Sequence, residues 1–341
     1  MKMNTLPTAM AALTLLAVLP GLAASQDSSL PKDKTPWTAG AALLRPGPAG
    51  AFDETAVKDP TVVFHQGRWH VFYTARGRGQ CALGYVAAAR LEDLQTAPRA
   101  HLEQLRGPRD GYAAAPQVFY FEPQRRWYLI YQVRDEKSGA DYQPVYATAP
   151  GVDQPGAWDG PHPLAEKQDL AKWIDFWVIC DETTACLFYT RGHRDVYAMT
   201  TPLSEFPRGF ANPRVVFGPV HEAVHIYQAE GRDEYHMLCE MRTPQDIRHF
   251  SLLTAPHPLG PWNLADERYA AGEQLISADS AARWTEEVSH GEMLRVGVDQ
   301  RLEYDASRPR FLIQGLLKAE HQGAYPSLPW KLGLITRGNG D

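Results

Sequence analysis

The feature that most constrains the fold is one β-hairpin unit that occurs five times in the 341 residues. Each copy has a polar or small residue, an apolar strand, a turn and an aromatic-rich strand. The copies start roughly 47 to 68 residues apart, the size of one four-stranded blade. A solenoid has shorter units, and a sandwich rarely repeats one hairpin five times. The sequence therefore predicts an all-β fold, a five-bladed β-propeller, with 289–295 paired to 301–304 in the fifth copy.

The first 25 residues have the composition of a secretory signal peptide. Lys2 supplies a positive start, Met10 to Leu19 is apolar, and the small residues Ala23 to Ser25 follow. The apolar run is too short to span a bilayer comfortably. We expect a signal peptide over 1–25, a linker over 26–36 and one catalytic propeller over 37–341, secreted to the extracellular space or the periplasm.

The charge of the chain limits the classes of binding partner, and its cysteines allow two interpretations. The net charge of −6 comes from 34 basic and 40 acidic residues that are well mixed, without the basic block that nucleic-acid binding needs. We expect no nucleic acid, no membrane association and a monomer, because a closed ring needs no partner. For the four cysteines two interpretations stay open: a disulfide between Cys180 and Cys186 across a turn, or four small buried thiols.

The candidate catalytic residues stand at the start of the five repeats. Innermost propeller strands line a central channel, so matching positions at their starts converge at one face. We align these positions as Asp59, Pro116, Asp175, Glu222 and His290. Three carboxylates at matched positions are unexpected, because β-structure disfavours acids. Their mutual repulsion and burial raise the proton affinity of at least one of them.

A difference in pKa among these carboxyl groups suits hydrolysis of a glycosidic bond, which needs one protonated and one ionised carboxyl. We expect Glu222 to be the proton donor, Lys58 to keep Asp59 charged, and Asp175 to tune the other two and position the sugar. His290 faces the same axis and is either a satisfied core residue or the contact of a bound cation. One histidine plus water would be an unusual calcium shell.

Short segments spread over most of the chain resemble glycoside hydrolase family 62, the α-L-arabinofuranosidases. These segments include 57–59, 115–116, 174–181, 206–210, 221–223, 260–262, 289–292 and 328–334.

The resemblance implies a five-bladed propeller that hydrolyses arabinoxylan or arabinan with inversion. Asp59 would be the general base, Glu222 the general acid and Asp175 the residue that tunes the acid. The resemblance also implies a central calcium near His290, and it places Lys58 against the arabinose.

We assign further substrate contacts to Phe176 and Trp177, and the resemblance implies one at Arg248, which stands where the family tends to have an arginine. Ile313 stands where the family has a tyrosine before Gln-Gly, which predicts the loss of one sugar contact.

Two alternatives stay open. A related family 43 enzyme, a xylosidase or an arabinanase, would also use two aspartates and a glutamate on five blades. A non-catalytic propeller would bind sugar through aromatic side chains such as Trp69, Trp127 and Trp177.

Overall fold

The structure is a computed structural model that describes Met1 and residues 35–134, 142–165, 172–278 and 283–338. The predicted signal peptide and most of the predicted linker lie outside the described residues. Thr35–Asp341 forms one compact unit. None of the helices in the described part of the chain is long and apolar enough to cross a membrane.

Five sheets make up this unit, and each has its strands in the order of a propeller blade. The predicted all-β five-bladed propeller is confirmed. Blade 1 contains β2 (Ala56–His65), β3 (Arg68–Gly77), β4 (Gln80–Ala88) and β5 (Arg99–His101). Blade 2 contains β6 (Ala113–Phe121), β7 (Arg126–Val133), β8 (Gln143–Ala149) and β9 (Asp159–Pro163). Blade 3 contains β10 (Trp173–Cys180), β11 (Thr184–Arg191), β12 (Asp195–Pro202) and β13 (Ala211–Phe217).

The last two blades depart from this simple order. Blade 4 contains β14 (Glu222–Ala229), β15 (Tyr235–Arg242), β16 (Arg248–Ala255) and β17 (Asn263–Ala271), with β20 (Glu303–Tyr304) parallel to β14. Blade 5 contains β19 (Ser289–Met293), β21 (Arg310–Gly315), β22 (Lys331–Thr336), β1 (Trp37–Leu44) and β18 (Leu275–Ser277). The first strand of the chain therefore joins the last blade and closes the ring.

The predicted fifth hairpin is confirmed only in part: Arg295 forms one antiparallel bridge with Tyr304, but the main ladder of β19 lies elsewhere. β19 pairs with Arg310–Gly315, whereas Glu303–Tyr304 pairs with the innermost strand of blade 4. The segment after β19 crosses to the neighbouring blade before the chain returns, which a search for local hairpins cannot detect.

Apolar and aromatic side chains fill the space between blades. Val63, Phe72 and Leu129, for example, belong to one buried cluster shared by blades 1 and 2. All four cysteines are free and buried in the structure, which agrees with the second of the two interpretations.

Every innermost strand has one extra residue near its start. The register of β2 on β3 shifts between Lys58 and Thr61, and an equivalent shift occurs in β6, β10, β14 and β19. These shifts are β-bulges, which redirect side chains at the ends of strands. The first bulge residue has a positive φ in four blades: Asp59 (47°), Ala115 (50°), Asp175 (57°) and Ala223 (48°). Each such residue costs about 1–2 kcal/mol, which the surrounding contacts must offset.

The bulges correct the predicted alignment of the repeats. They match Asp59 and Asp175 with Ala115 and Ala223, not with Pro116 and Glu222. Glu222 lies one residue before its bulge and is equivalent to Lys58.

Side chains on the second strands hold four of the five bulges in place. Each accepts the N–H of the bulge residue in the next blade, and each lies opposite the residue that precedes its own bulge. The four bonds are Ala115 N to Thr74 Oγ1 (2.8 Å), Asp175 N to Gln132 Oε1 (3.1 Å), His290 N to Glu240 Oε2 (2.7 Å) and Asp59 N to Gln314 Oε1 (2.8 Å). They tie each blade to its neighbour at the end of the channel where the acids lie.

Candidate active site

The three acids of the sequence analysis meet at one end of the central channel. Asp59 starts from β2, Asp175 from β10 and Glu222 from β14, all at the bulges of innermost strands. Burial raises the pKa of Asp175 well above its ordinary value, and the carboxylates of Glu222 and Asp59 raise it further. The three side chains therefore act on one another electrostatically, as acids in a common cleft must.

Asp59 is held as an anion. Its Oδ2 lies 3.4 Å from Lys58 Nζ and its Oδ1 lies 3.6 Å from His290 Nδ1. Burial alone would raise the pKa of Asp59, but Lys58, His290 and a hydrogen bond from Thr74 bring the pKa below its ordinary value. An ionised carboxylate in this position can accept a proton from water.

Asp175 replaces the usual acceptor at the junction of blades 3 and 4. Its Oδ2 accepts the N–H of Ala223 at 3.0 Å. Thr190, the residue equivalent to Thr74 and Gln132, has no hydrogen-bond partner for its buried hydroxyl among the described residues. Asp175 thus fixes the residue next to Glu222 and connects the third and fourth blades at the cleft.

Glu222 is surrounded by cations and imidazoles. Arg248 Nη1 donates to its Oε1 at 2.5 Å, and His193 Nδ1 lies 3.3 Å from its Oε2. Burial alone would raise the pKa of Glu222, but the His193 hydrogen bond and the charge of Arg248 hold it well below its usual range. These surroundings therefore favour the protonated form of Asp175 and the ionised form of Glu222.

Arg248 bridges two carboxylates. Its Nη1 also donates to Oε1 of Glu240, a fully buried residue opposite Glu222 on β15. Glu240 Oε2 accepts from the hydroxyl of Ser289 at 2.9 Å as well as from the bulge amide of His290. Burial raises the pKa of Glu240 to about 7 although Arg248 opposes the shift. Glu240 escaped the sequence analysis because nothing in its segment, Leu238 to Met241, marks an acid as functional.

An aromatic ring lies over both cations of the cleft. Lys58 Nζ is 4.9 Å, and Arg248 Cζ 4.8 Å, from the ring centroid of Tyr325. Tyr325 lies in the loop between β21 and β22, outside the five hairpins that were compared, so repeat analysis could not find it. Ile313, in contrast, is buried within blade 5. An aromatic contact at this cleft therefore comes from Tyr325.

Three comparisons with known proteins agree. The family model described as "Glycosyl hydrolase family 62" matches residues 36–336. This chain belongs to glycosyl hydrolase family 62. The resemblance found in the sequence is thereby confirmed.

Relatives of this family 62 chain include Alpha-L-arabinofuranosidase C of Cellvibrio japonicus, 30% identical over 311 residues. That alignment covers 88% of this chain and 46% of the relative, so the chain spans about half the length of that protein. The catalytic domain of the Coprinopsis cinerea GH62 alpha-L-arabinofuranosidase is 33% identical with a TM-score of 0.81, covering 89% of this chain and 97% of that one. A GH62 hydrolase in complex with xylotriose is 29% identical with a TM-score of 0.80, covering 91% and 100%.

The aromatic residues expected to bind sugar are mostly buried in this family 62 chain. Phe176 packs edge-on against Trp173, with ring centroids 5.0 Å apart. Trp177 donates its indole N–H to the carbonyl of Ile226 at 2.9 Å. Trp127 is buried as well. These rings pack the core and present no free face to a sugar, which weakens both the predicted contacts and the lectin alternative.

The surroundings of His290 test the implied calcium. The side chains closest to its imidazole include the ring of His225, at 5.0 Å between centroids, and one oxygen of Asp59, while Glu240 Oε2 is bonded to its backbone N–H. Calcium prefers six to eight oxygen ligands. This nitrogen-rich set does not form such a shell, so a calcium ion there would take most of its ligands from water. Calcium at His290 stays a prediction, and no catalytic step below depends on it.

Proposed function

We propose that this chain is an α-L-arabinofuranosidase that releases arabinofuranosyl side groups from arabinoxylan or arabinan by hydrolysis. The observation that carries the proposal is the meeting of Asp59, Asp175 and Glu222 beside Lys58 and Arg248 in a family 62 propeller. The names of the Cellvibrio japonicus and Coprinopsis cinerea relatives support the linkage. The xylotriose in a related structure favours a xylan backbone over arabinan.

The mechanism assigned to these residues is a single displacement. Glu222 gives a proton to the glycosidic oxygen as its bond to the anomeric carbon breaks. Asp59 removes a proton from a water molecule whose oxygen forms the new bond on the opposite face. One arabinose and one free backbone hydroxyl result, with inversion at the anomeric carbon.

Glu222 needs a proton before it can act, and we assign the control of its protonation to the groups that contact it. Arg248 and His193 favour the ionised form in the free cleft, while Asp175 retains a proton close by. A sugar hydroxyl that takes over the Arg248 contact would raise the proton affinity of Glu222 at the moment of binding. Lys58, Arg248 and Tyr325 are the groups we assign to the sugar, because they line the same cleft.

The cellular location and the oligomeric state of the enzyme are also part of the proposal. Removal of residues 1–25 and export as a monomer place the enzyme where polymeric arabinoxylan is found. Amino-terminal sequencing and light scattering of protein recovered from culture medium or periplasm test both points.

The experiment that tests the function is incubation of the full chain with wheat arabinoxylan, followed by chromatography of the sugars released. We expect free arabinose as the product, and proton NMR should first detect the inverted anomer. Glu222→Gln should lower kcat by roughly 10²–10⁴-fold with an unchanged circular dichroism spectrum. Xylose or arabino-oligosaccharides would favour the family 43 type of activity, and binding without release would favour the non-catalytic propeller.

A further inference from the structure

Glu222 has two histidine neighbours that transfer no proton in the proposed mechanism. His193 lies in the turn between β11 and β12, and His221 immediately precedes β14. One nitrogen from each ring and a carboxylate oxygen of Glu222 lie within 4.8 Å of one another. Among residues 35–134, 142–165, 172–278 and 283–338, this is the set of His, Cys, Asp and Glu side chains with the spacing of a metal site.

The distances fit a small tetrahedral ion. His193 Nδ1 is 3.3 Å from Glu222 Oε2, and His221 Nε2 is 3.6 Å from Glu222 Oε1. Zinc bonds of 2.0–2.2 Å place neighbouring ligand atoms roughly 3.3–3.5 Å apart. The His193 and His221 distances are to different oxygens of Glu222, and the two imidazoles are stacked, with centroids 4.9 Å apart and planes inclined by 24°. Binding one ion through a single oxygen therefore needs a rotation of the half-exposed His193 ring or of the carboxylate.

The two rings differ in ways that suit binding. His221 Nε2 is buried and has no hydrogen-bond partner in the described part of the chain, so its bonding capacity is unused. The His193 side chain is 50% exposed, which leaves room for rotation, an entry path and an open position for water. Imidazole nitrogen with one carboxylate oxygen is a donor set for zinc, copper and nickel rather than for calcium.

The positive charge nearby limits the affinity without blocking the site. Arg248 donates to Oε1 of Glu222, while Oε2 faces His193. A cation bound through Oε2 leaves the Arg248 contact in place, and the carboxylates of Glu222 and Glu240 balance the charge of Arg248.

We propose that His193, His221 and Glu222 form a binding site for a divalent transition metal such as zinc or copper, and that its occupation inhibits the enzyme. Inhibition rests on the proposed function, because a cation bound to Glu222 keeps the carboxylate ionised and so without the proton that it would give to the glycosidic oxygen. Binding itself does not depend on that function.

Binding is tested by titrating the full chain with zinc against a chromogenic zinc indicator, without substrate. We expect one ion per chain. His193→Asn is the variant of choice, since His193 has φ 51° and asparagine tolerates this conformation. Loss of one ligand should weaken binding by at least about tenfold. His221→Gln should do the same, whereas His162→Gln, which removes a histidine paired with Asp159 at 3.1 Å on blade 2, should bind zinc like the unmodified chain.

Inhibition is tested by arabinose release with and without zinc, followed by chelation and return of calcium. We expect zinc to inhibit the unmodified chain and His162→Gln reversibly. In His193→Asn the rate of arabinose release with zinc should approach the rate without zinc. Equal zinc affinity in the unmodified chain, His193→Asn and His221→Gln would overturn the site. Binding without inhibition of an active chain would overturn the inhibitory role. If the chain released no arabinose, the titration would still decide whether the site exists.

Discussion

The junction between blades 3 and 4 is built differently from the other four. At those four, a threonine, a glutamine or a glutamate on a second strand accepts the bulge amide of the next blade. At the fifth, Asp175 accepts it from the innermost strand, and Thr190 on the second strand is left without a partner among the described residues. Asp175, which we assign to catalysis, therefore also makes the structural hydrogen bond that second-strand side chains make at the other four junctions.

The largest effect is expected at Asp175. Asp175→Ala should lower kcat/KM on arabinoxylan by roughly 10²–10⁴-fold, because it removes the group that tunes Glu222. It should also lower the free energy of unfolding by about 1–3 kcal/mol, since the buried amide of Ala223 loses its acceptor. Enzyme kinetics and urea unfolding measure the two effects.

Asp175→Asn separates the two roles. The amide oxygen can still accept the N–H of Ala223, so stability should be largely retained while activity stays low. If Asp175→Asn lost as much stability as Asp175→Ala, the bond to Ala223 would not be what holds this junction.

The next largest effect is expected at the junction of blades 4 and 5. Glu240→Ala should lower the free energy of unfolding by about 3–5 kcal/mol, because it removes one partner of a buried ion pair and the acceptor of the His290 amide. Urea unfolding measures the loss. Glu240→Gln keeps an acceptor oxygen and should lose less stability. Equal losses in the two variants would show that charge alone matters there.

A smaller effect is expected at the junction of blades 1 and 2. Thr74→Val keeps the shape of the side chain but removes the acceptor of the Ala115 amide, so unfolding should become easier by about 1–3 kcal/mol. Activity should fall as well, because the Thr74 hydroxyl also bonds to Asp59. Thr74→Ser retains the hydroxyl and should behave like the unmodified chain. A stability loss in the serine variant as large as in the valine variant would point to packing instead.

The sequence predicted the fold and the residues of the acid cluster because both depend on local pattern. Five hairpins of similar length are visible as alternating apolar and aromatic runs, and acids at strand starts are conspicuous. The bulges were missed, since one inserted residue leaves an apolar run looking continuous, and the alignment slipped by one at Pro116 and Glu222.

Contacts between distant segments escaped the sequence analysis for a different reason. Tyr325 contacts Lys58 from the loop between the second and third strands of blade 5, and Glu240 bonds to the amide of His290 across a blade junction. Both contacts join residues that no repeat places side by side. The same limit explains why the second strand of the fifth hairpin was only partly right, because Glu303–Tyr304 also pairs with the innermost strand of blade 4.

The smallest effect is expected at Thr190, where a substitution tests directly whether the junction of blades 3 and 4 differs from the other four. This residue occupies the same strand position as Thr74 and is equally buried, yet its hydroxyl has no partner among the described residues. Thr190→Val should therefore leave the free energy of unfolding unchanged or raise it by up to about 1 kcal/mol, since a buried unpaired hydroxyl is unfavourable. Urea unfolding of Thr74→Val and Thr190→Val compares one chemical change at two junctions. If both variants lost the same stability, Thr190 would be bonding across its junction as Thr74 does, and the structural role given to Asp175 would be wrong.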